Sequence, residues 1–255
     1  MKKHYLFLIV AGLFVFNGSL FAQKGLKVGG FVLPQAGYLF NSDEQSLANE
    51  EFTQEFLGGM AVGGLVGYNF NDYVGVRLNV IYSQQGGKYS ARRDVNTRTS
   101  FTRRQEYVKI PLMIGLNSNP GNKVAFVFYG GVQLDLLTNA YNYNDNPAYI
   151  SPLPETYSQF PSTYKTYENI HFSVVGETGL DFELSPRSVV LNLRIRGDYG
   201  LVDSENKSVS FLESGNGVTQ ERNYWEWVRG IAADAETFSL NVGLLVGLTF
   251  NLGTE

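Results

Sequence analysis

Along residues 238–252 the chain alternates with a period of two. Phe238, Leu240, Val242, Leu244, Val246, Leu248, Phe250 and Leu252 share one face, and Thr237, just ahead of them, Ser239, Asn241, Gly243, Gly247, Thr249 and Asn251 share the other. Leu245 alone is an apolar residue out of step. Such alternation predicts a strand with two unlike surroundings. From Phe238 to Phe250, at ~3.3 Å per residue and a tilt of about 40°, it climbs roughly 30 Å, the hydrocarbon thickness of a bilayer. An aromatic ring then lies near each membrane interface.

The same pattern marks residues 26–40, 60–70, 74–85, 107–116, 124–137, 171–184 and 189–199. One face carries Val28, Val32, Val62, Val66, Phe126, Phe128, Val132, Phe172, Val174 and Leu180 without interruption. The other carries Lys27, Arg77, Asn79, Lys109, Gln133, Asp135, Glu177, Asp181, Glu183, Asn192, Arg194, Arg196, Asp198 and Asn241, broken by small residues. A soluble lipocalin-like barrel has the reverse arrangement, with a dry core and charges in water. Lipid outside and polar groups inside fit this chain, and closure leaves no strand edge unpaired in hydrocarbon. The predicted fold is all-β: an eight-stranded antiparallel transmembrane β-barrel, up-and-down, with long extracellular loops.

Joins between these segments run about 19, 3, 21, 7, 33, 4 and 37 residues, alternating long and short. This predicts extracellular segments 41–57, 88–106, 139–167 and 201–236, short periplasmic turns at 71–73, 117–123 and 185–188, and both termini periplasmic. Pairing Leu184 with Val189 across the last turn sets Glu177 opposite Arg196 and Asp181 diagonal to Arg194, as ion pairs facing the lumen. Pro34 and Pro111 lie inside strands, where a missing N–H suggests a bulge.

The segments at 82–87 and 107–112, Tyr82-Ser83-Gln84-Gln85-Gly86-Gly87 and Tyr107-Val108-Lys109-Ile110-Pro111-Leu112, resemble the outer-membrane β-barrel proteins of Bacteroidota labelled porin-family or PorT-like, as does the Gly130-Gly131 pair. The family's fourth strand reads Tyr-Leu-Glu-Ile-Pro-Leu, and Lys109 stands where the family has the acidic residue. The resemblance covers the whole mature chain and implies the barrel and its membrane, with no catalytic residue to carry over. Gly247-Leu248-Thr249-Phe250-Asn251-Leu252 resembles the terminal signal read by the outer-membrane assembly machinery, an expected partner.

The ends and the composition agree with export. Residues 1–22 read as a signal peptide, with Lys2 and Lys3 ahead of an apolar run from Tyr5 to Phe16, which leaves 23–255 as the barrel domain. No later stretch reaches the roughly 18 apolar residues of a membrane helix. Charged residues make up only 17% of the chain, and loss of the two signal lysines takes the net charge from −4 to −6, so no nucleic-acid partner is expected. With no cysteine, disulfide and thiol-metal chemistry are excluded. No cofactor or metal site is expected: Asn142-Tyr143-Asn144-Asp145-Asn146 offers oxygen ligands but lacks the glycine and glutamate of a calcium loop.

Candidate chemistry is sparse. His171 is the single histidine after the signal, with Glu168 and Ser173 close in sequence, and it centres an alternative reading as a small outer-membrane enzyme, lipid A-modifying or proteolytic. A hydrogen-bonded rim histidine is the plainer reading. The third loop gathers Tyr141, Tyr143, Tyr149, Tyr157, Tyr164 and Tyr167, suited either to a lid over the barrel or to a recognition surface. Loop one carries Asp43, Glu44, Glu50, Glu51 and Glu55, and loop two Lys88, Arg92, Arg93, Arg98, Arg103 and Arg104. These pair with each other or, for the arginines, grip phosphates of outer-membrane lipopolysaccharide. Trp225 and Trp227 read as an interfacial anchor or a ligand platform. The function expected is non-enzymatic: surface recognition, or a secretion- or envelope-associated role, through the extracellular loops. A diffusion porin conflicts with eight strands, whose lumen side chains fill.

Overall fold

A computed structural model describes residues 25–41, 52–71, 73–94, 97–118, 123–144, 167–185, 189–215, 218–223 and 236–252. The signal peptide lies outside these residues, as do Trp225, Trp227 and most of loops one and three. Among the described residues ten strands form: β1 (Leu26–Asn41), β2 (Phe52–Asn69), β3 (Val74–Asp94), β4 (Thr97–Asn117), β5 (Val124–Asn144), β6 (Ile170–Ser185), β7 (Val189–Gly200), β8 (Ser210–Gly215), β9 (Val218–Asn223) and β10 (Thr237–Asn251). Eight of them close an antiparallel barrel in the order β1-β10-β7-β6-β5-β4-β3-β2, and β8 and β9 form a separate hairpin. Closure is made by β1 and β10, from Lys27 opposite Asn251 to Asn41 opposite Thr237.

Side chains divide as the alternation requires. Ile114 is 64% exposed and Val132 62%, whereas Arg196 and Glu177 are each 1% exposed inside the barrel. Aromatic residues gather at both ends of the apolar exterior. Tyr38 packs on Phe40 and Phe56 at one end, and Tyr68 meets Phe70 edge-on at the other. Leu245, the one residue out of step, turns inward and is fully buried with Phe31, Leu33, Ala61, Leu65 and Ile81. The exception to the pattern is thus a core residue.

Several sequence expectations need correction. Residues 88–106 are not a loop, because β3 and β4 stay paired from Val74–Leu116 up to Arg92–Arg98 and Asp94–Thr97. They form one hairpin, which β2 accompanies as far as Ala91 and β5 as far as Phe101. Gly86 allows the close approach: with φ of +152° and an ideal Cβ only 1.9 Å from the Arg103 carbonyl oxygen, the position admits no side chain. Loop one is shortened because β2 already starts at Phe52, β5 extends to Asn144, and the last long segment contains the β8–β9 hairpin.

Neither proline produces a bulge. Opposite β10 the pairing of β1 skips from Val32 to Gln35, and opposite β3 the pairing of β4 skips from Leu112 to Lys109, both without a register shift. The missing N–H is absorbed by a local gap in one ladder. Bulges fall elsewhere: between Phe56 and Ala61 on β2, between Glu106 and Tyr107 where β4 meets β5, and between Glu183 and Ser185 on β6. The last makes Ser185, not Leu184, the partner of Val189, while Glu177 still faces Arg196.

Candidate functional site

Charged side chains in the barrel interior are linked by ion pairs and hydrogen bonds across several strands. Glu177, inward on β6, accepts from Arg196 at 2.6 Å and Arg194 at 3.5 Å, both on β7, and from Arg77 on β3 across the lumen. One carboxylate therefore joins three guanidinium groups. Arg194 also forks onto Asp181 at 2.8 Å through both carboxylate oxygens, and Arg196 donates to Gln133 of β5. Tyr129 lies between two of these cations, with Arg77 4.0 Å and Arg194 4.7 Å from its ring centre. That ring occupies the place where a side chain at Gly115 would project, since a Cβ there would lie 2.2 Å from it.

A second pair crosses the lumen further from the chain ends. Lys109 Nζ donates to Asp198 Oδ1 at 2.8 Å, joining β4 to β7, and Asn241 of β10 donates to the same oxygen at 3.0 Å. Lys109 is the position that departs from the resembled family, and here it holds a buried ion pair. Single charges in so dry a place cost several kcal/mol each, so their mutual pairing is a condition of the fold.

Above this pair the lumen is capped. Tyr107, Leu137, Ala140 and Tyr167 form an apolar cluster, Tyr167 bridges to Glu205, and Glu205 lies 3.8 Å from Arg103. Backbone bonds tie the segment down: Glu168 donates to the Ser204 carbonyl at 3.1 Å and Ser204 to that of Thr237 at 2.8 Å. Residues 203–205 thus act as a lid across the end opposite the chain termini. Tyr167 belongs to that lid, whereas Tyr149, Tyr157 and Tyr164 lie outside the described residues.

His171 is buried beneath this cap, edge-on to Tyr107 with ring centres 5.4 Å apart. Its Nε2 bonds the Glu168 carbonyl at 2.7 Å. Ser173 turns instead to Asp135, its hydroxyl donating to Oδ2 at 2.5 Å. Histidine and serine are bound to different partners, so His171 is not set against Ser173 as its general base. Among the described residues no group of three or more histidine, aspartate or glutamate side chains is arranged to hold a metal ion.

Sequence reasoning located the Glu177–Arg196 and Asp181–Arg194 pairs because neighbouring strands share a register. It missed Arg77, Lys109 and Tyr129 as partners across the lumen, and the one available signal was that all three are large inward residues.

A closed barrel with an apolar belt, two aromatic rims and a paired polar lumen is an integral outer-membrane protein. The family model of the outer membrane protein beta-barrel domain matches residues 21–206, and the chain belongs to that family. No curated protein matches the sequence. Similar solved structures include neisserial surface protein A, at 12% identity over 89% of this chain and 97% of that one, with a TM-score of 0.42. OprG of Pseudomonas aeruginosa shares 10% identity over 89% and 96%, with a TM-score of 0.43. The outer membrane protease OmpT of Escherichia coli shares 8% over 89% and 96%, with a TM-score of 0.35.

Proposed function

We propose that this protein is a non-enzymatic outer-membrane barrel whose long connections face the cell exterior and act in recognition, either of a surface ligand or of a secretion or envelope component. The carrying observation is the contrast between a lumen whose charges are committed to one another and an opposite end where the β3–β4 hairpin and the long connections gather. Glu177 with its three arginines, and Lys109 with Asp198, occupy the cross-section that a water column would need. The separate bonding of His171 and Ser173 supports the non-enzymatic reading over the alternative centred on His171.

In this reading both termini are periplasmic and β10 carries the signal for the assembly machinery. Labelling of intact cells should reach a cysteine placed at Ser100 and should not reach one at Ser118. Planar-bilayer recording should show no stable conductance steps. Copurification from native membranes should recover a partner in stoichiometric amount, and its identity distinguishes surface recognition from secretion. Lipid A or surface proteolysis altered in a His171→Ala strain would replace this reading with the enzyme.

A further inference from the structure

At the end of the barrel that holds the chain termini, the lumen contains a small recess lined by Lys27 of β1, Arg77 of β3, Asp181 of β6, Asn192 and Arg194 of β7 and Thr249 of β10. A second recess shares Lys27 and Asp181 with it and continues to Tyr73 and Asn117 beside the short turns, where Tyr73 is exposed. The first recess is therefore reached from that end. Its floor is Gly67, the register partner of Lys27 on one side and of Arg77 on the other. Strands lie about 4.8 Å apart, so the two cations start roughly 10 Å from each other, with no side chain between them. A Cβ on Gly67 would stand 3.2 Å from the Val76 carbonyl oxygen and 3.7 Å from Arg77 Cγ.

Cations outnumber carboxylates here. Among the described residues Lys27, Arg77, Arg194 and Arg196 stand against Glu177 and Asp181, four against two, and Glu183 lines neither recess. Glu177 is already shared by three arginines. Arg194 holds both oxygens of Asp181, and Asn192 donates to one of them at 3.0 Å. Through space Lys27 meets one opposite charge, Asp181, and two like ones, Arg194 and Arg77.

A second, independent observation concerns Arg77. The residue is 3% exposed and gives Nη2 to Glu177, yet its Nε–H has no acceptor. A buried donor left unmade is costly, more so on a charged group. The neighbouring polar side chains are committed elsewhere, since Thr249 donates to Asn192 Oδ1 at 2.6 Å while Asn192 donates to Asp181.

We propose that this recess binds one monatomic anion, chloride, between Lys27 Nζ and Arg77 Nε above Gly67. Such an ion accepts from both donors and offsets the excess positive charge of the layer. The donor count selects the ligand. Two groups suit a single spherical acceptor, whereas a phosphate would set several further oxygens beside the Asp181 carboxylate with no donors to meet them. The site does not depend on which side of the membrane this end faces.

The test uses the full-length mature barrel in zwitterionic detergent at constant ionic strength, with gluconate exchanged for chloride. Chlorine NMR should show excess line broadening with the wild type, relieved by bromide and not by an equal concentration of phosphate. Lys27→Gln should weaken chloride at least about tenfold, the loss of one hydrogen bond to a charged group. Chloride should also raise the urea midpoint of the wild type and leave that of Lys27→Gln unmoved. Should the variant fail to fold, wild-type crystals grown in bromide should show an anomalous peak in contact with Lys27 and Arg77. Equal binding by wild type and variant, displacement by phosphate, absence of broadening, or a bromide peak elsewhere would each overturn the inference. A peak in the recess without broadening in solution marks an adventitious ion only and overturns it as well.

Discussion

Inside the barrel, β1, β2 and β10 present Phe31, Leu33, Ala61, Leu65 and Leu245, joined by Ile81 of β3, while β4 to β7 present Lys109, Gln133, Asp135, Glu177, Arg194, Arg196 and Asp198. The first wall is held by contact among neighbours, which is short-ranged and tolerant of small shifts. On the second wall stability depends on partners, several of them two or more strands away. One wall therefore loses what is removed, and the other also loses whatever the removed group had neutralised.

Glu177→Ala should sharpen that contrast most. It leaves Arg77, Arg194 and Arg196 short of one shared carboxylate, and a loss of about 3–5 kcal/mol is expected from reversible urea unfolding in lipid vesicles. Retained stability would show that the three guanidinium groups are neutralised by other means. Lys109→Met should follow, costing about 3 kcal/mol by stranding Asp198, whereas adding Asp198→Leu should restore most of it. A double variant no better than the single would break the claim that pairing, rather than each charge, carries this wall.

Leu245→Ala probes the apolar wall and should cost about 2–3 kcal/mol in the same unfolding assay, as the neighbours close part of the space. The smallest effect is expected outside the lumen. Glu55→Gln removes the 3.9 Å pair with Lys88 where both side chains meet solvent, and it should change stability by less than about 1 kcal/mol. If it exceeded Leu245→Ala, the ordering of interior over rim would be wrong.

Much of this was legible without coordinates. A two-residue period assigns each side chain to one of two faces, and a continuous apolar face opposite a charged one specifies lipid outside, so the barrel class, the strand number and the inward set from Lys27 to Asn241 follow from the pattern. Neighbouring strands linked by a short turn share a register, which is why Glu177 and Arg196 could be paired in advance. Leu245 and the 88–106 segment were misleading for related reasons. An inward leucine breaks the alternation without breaking the strand, and a polar hairpin outside the membrane has no apolar face to announce it. Its regular backbone comes from cross-strand bonds and from the conformation that Gly86 permits.

Alternation along the chain thus determines the barrel, because each residue's choice between lipid and lumen is local and repeats every second position. The tertiary structure alone decides which lumen charges meet across strands that are not neighbours. Arg77 reaches Glu177 across a separation of 100 residues, and Lys109 reaches Asp198 across 89. Closure with its particular stagger brings strands that are not neighbours to the same height, and that stagger depends on every register and bulge around the ring.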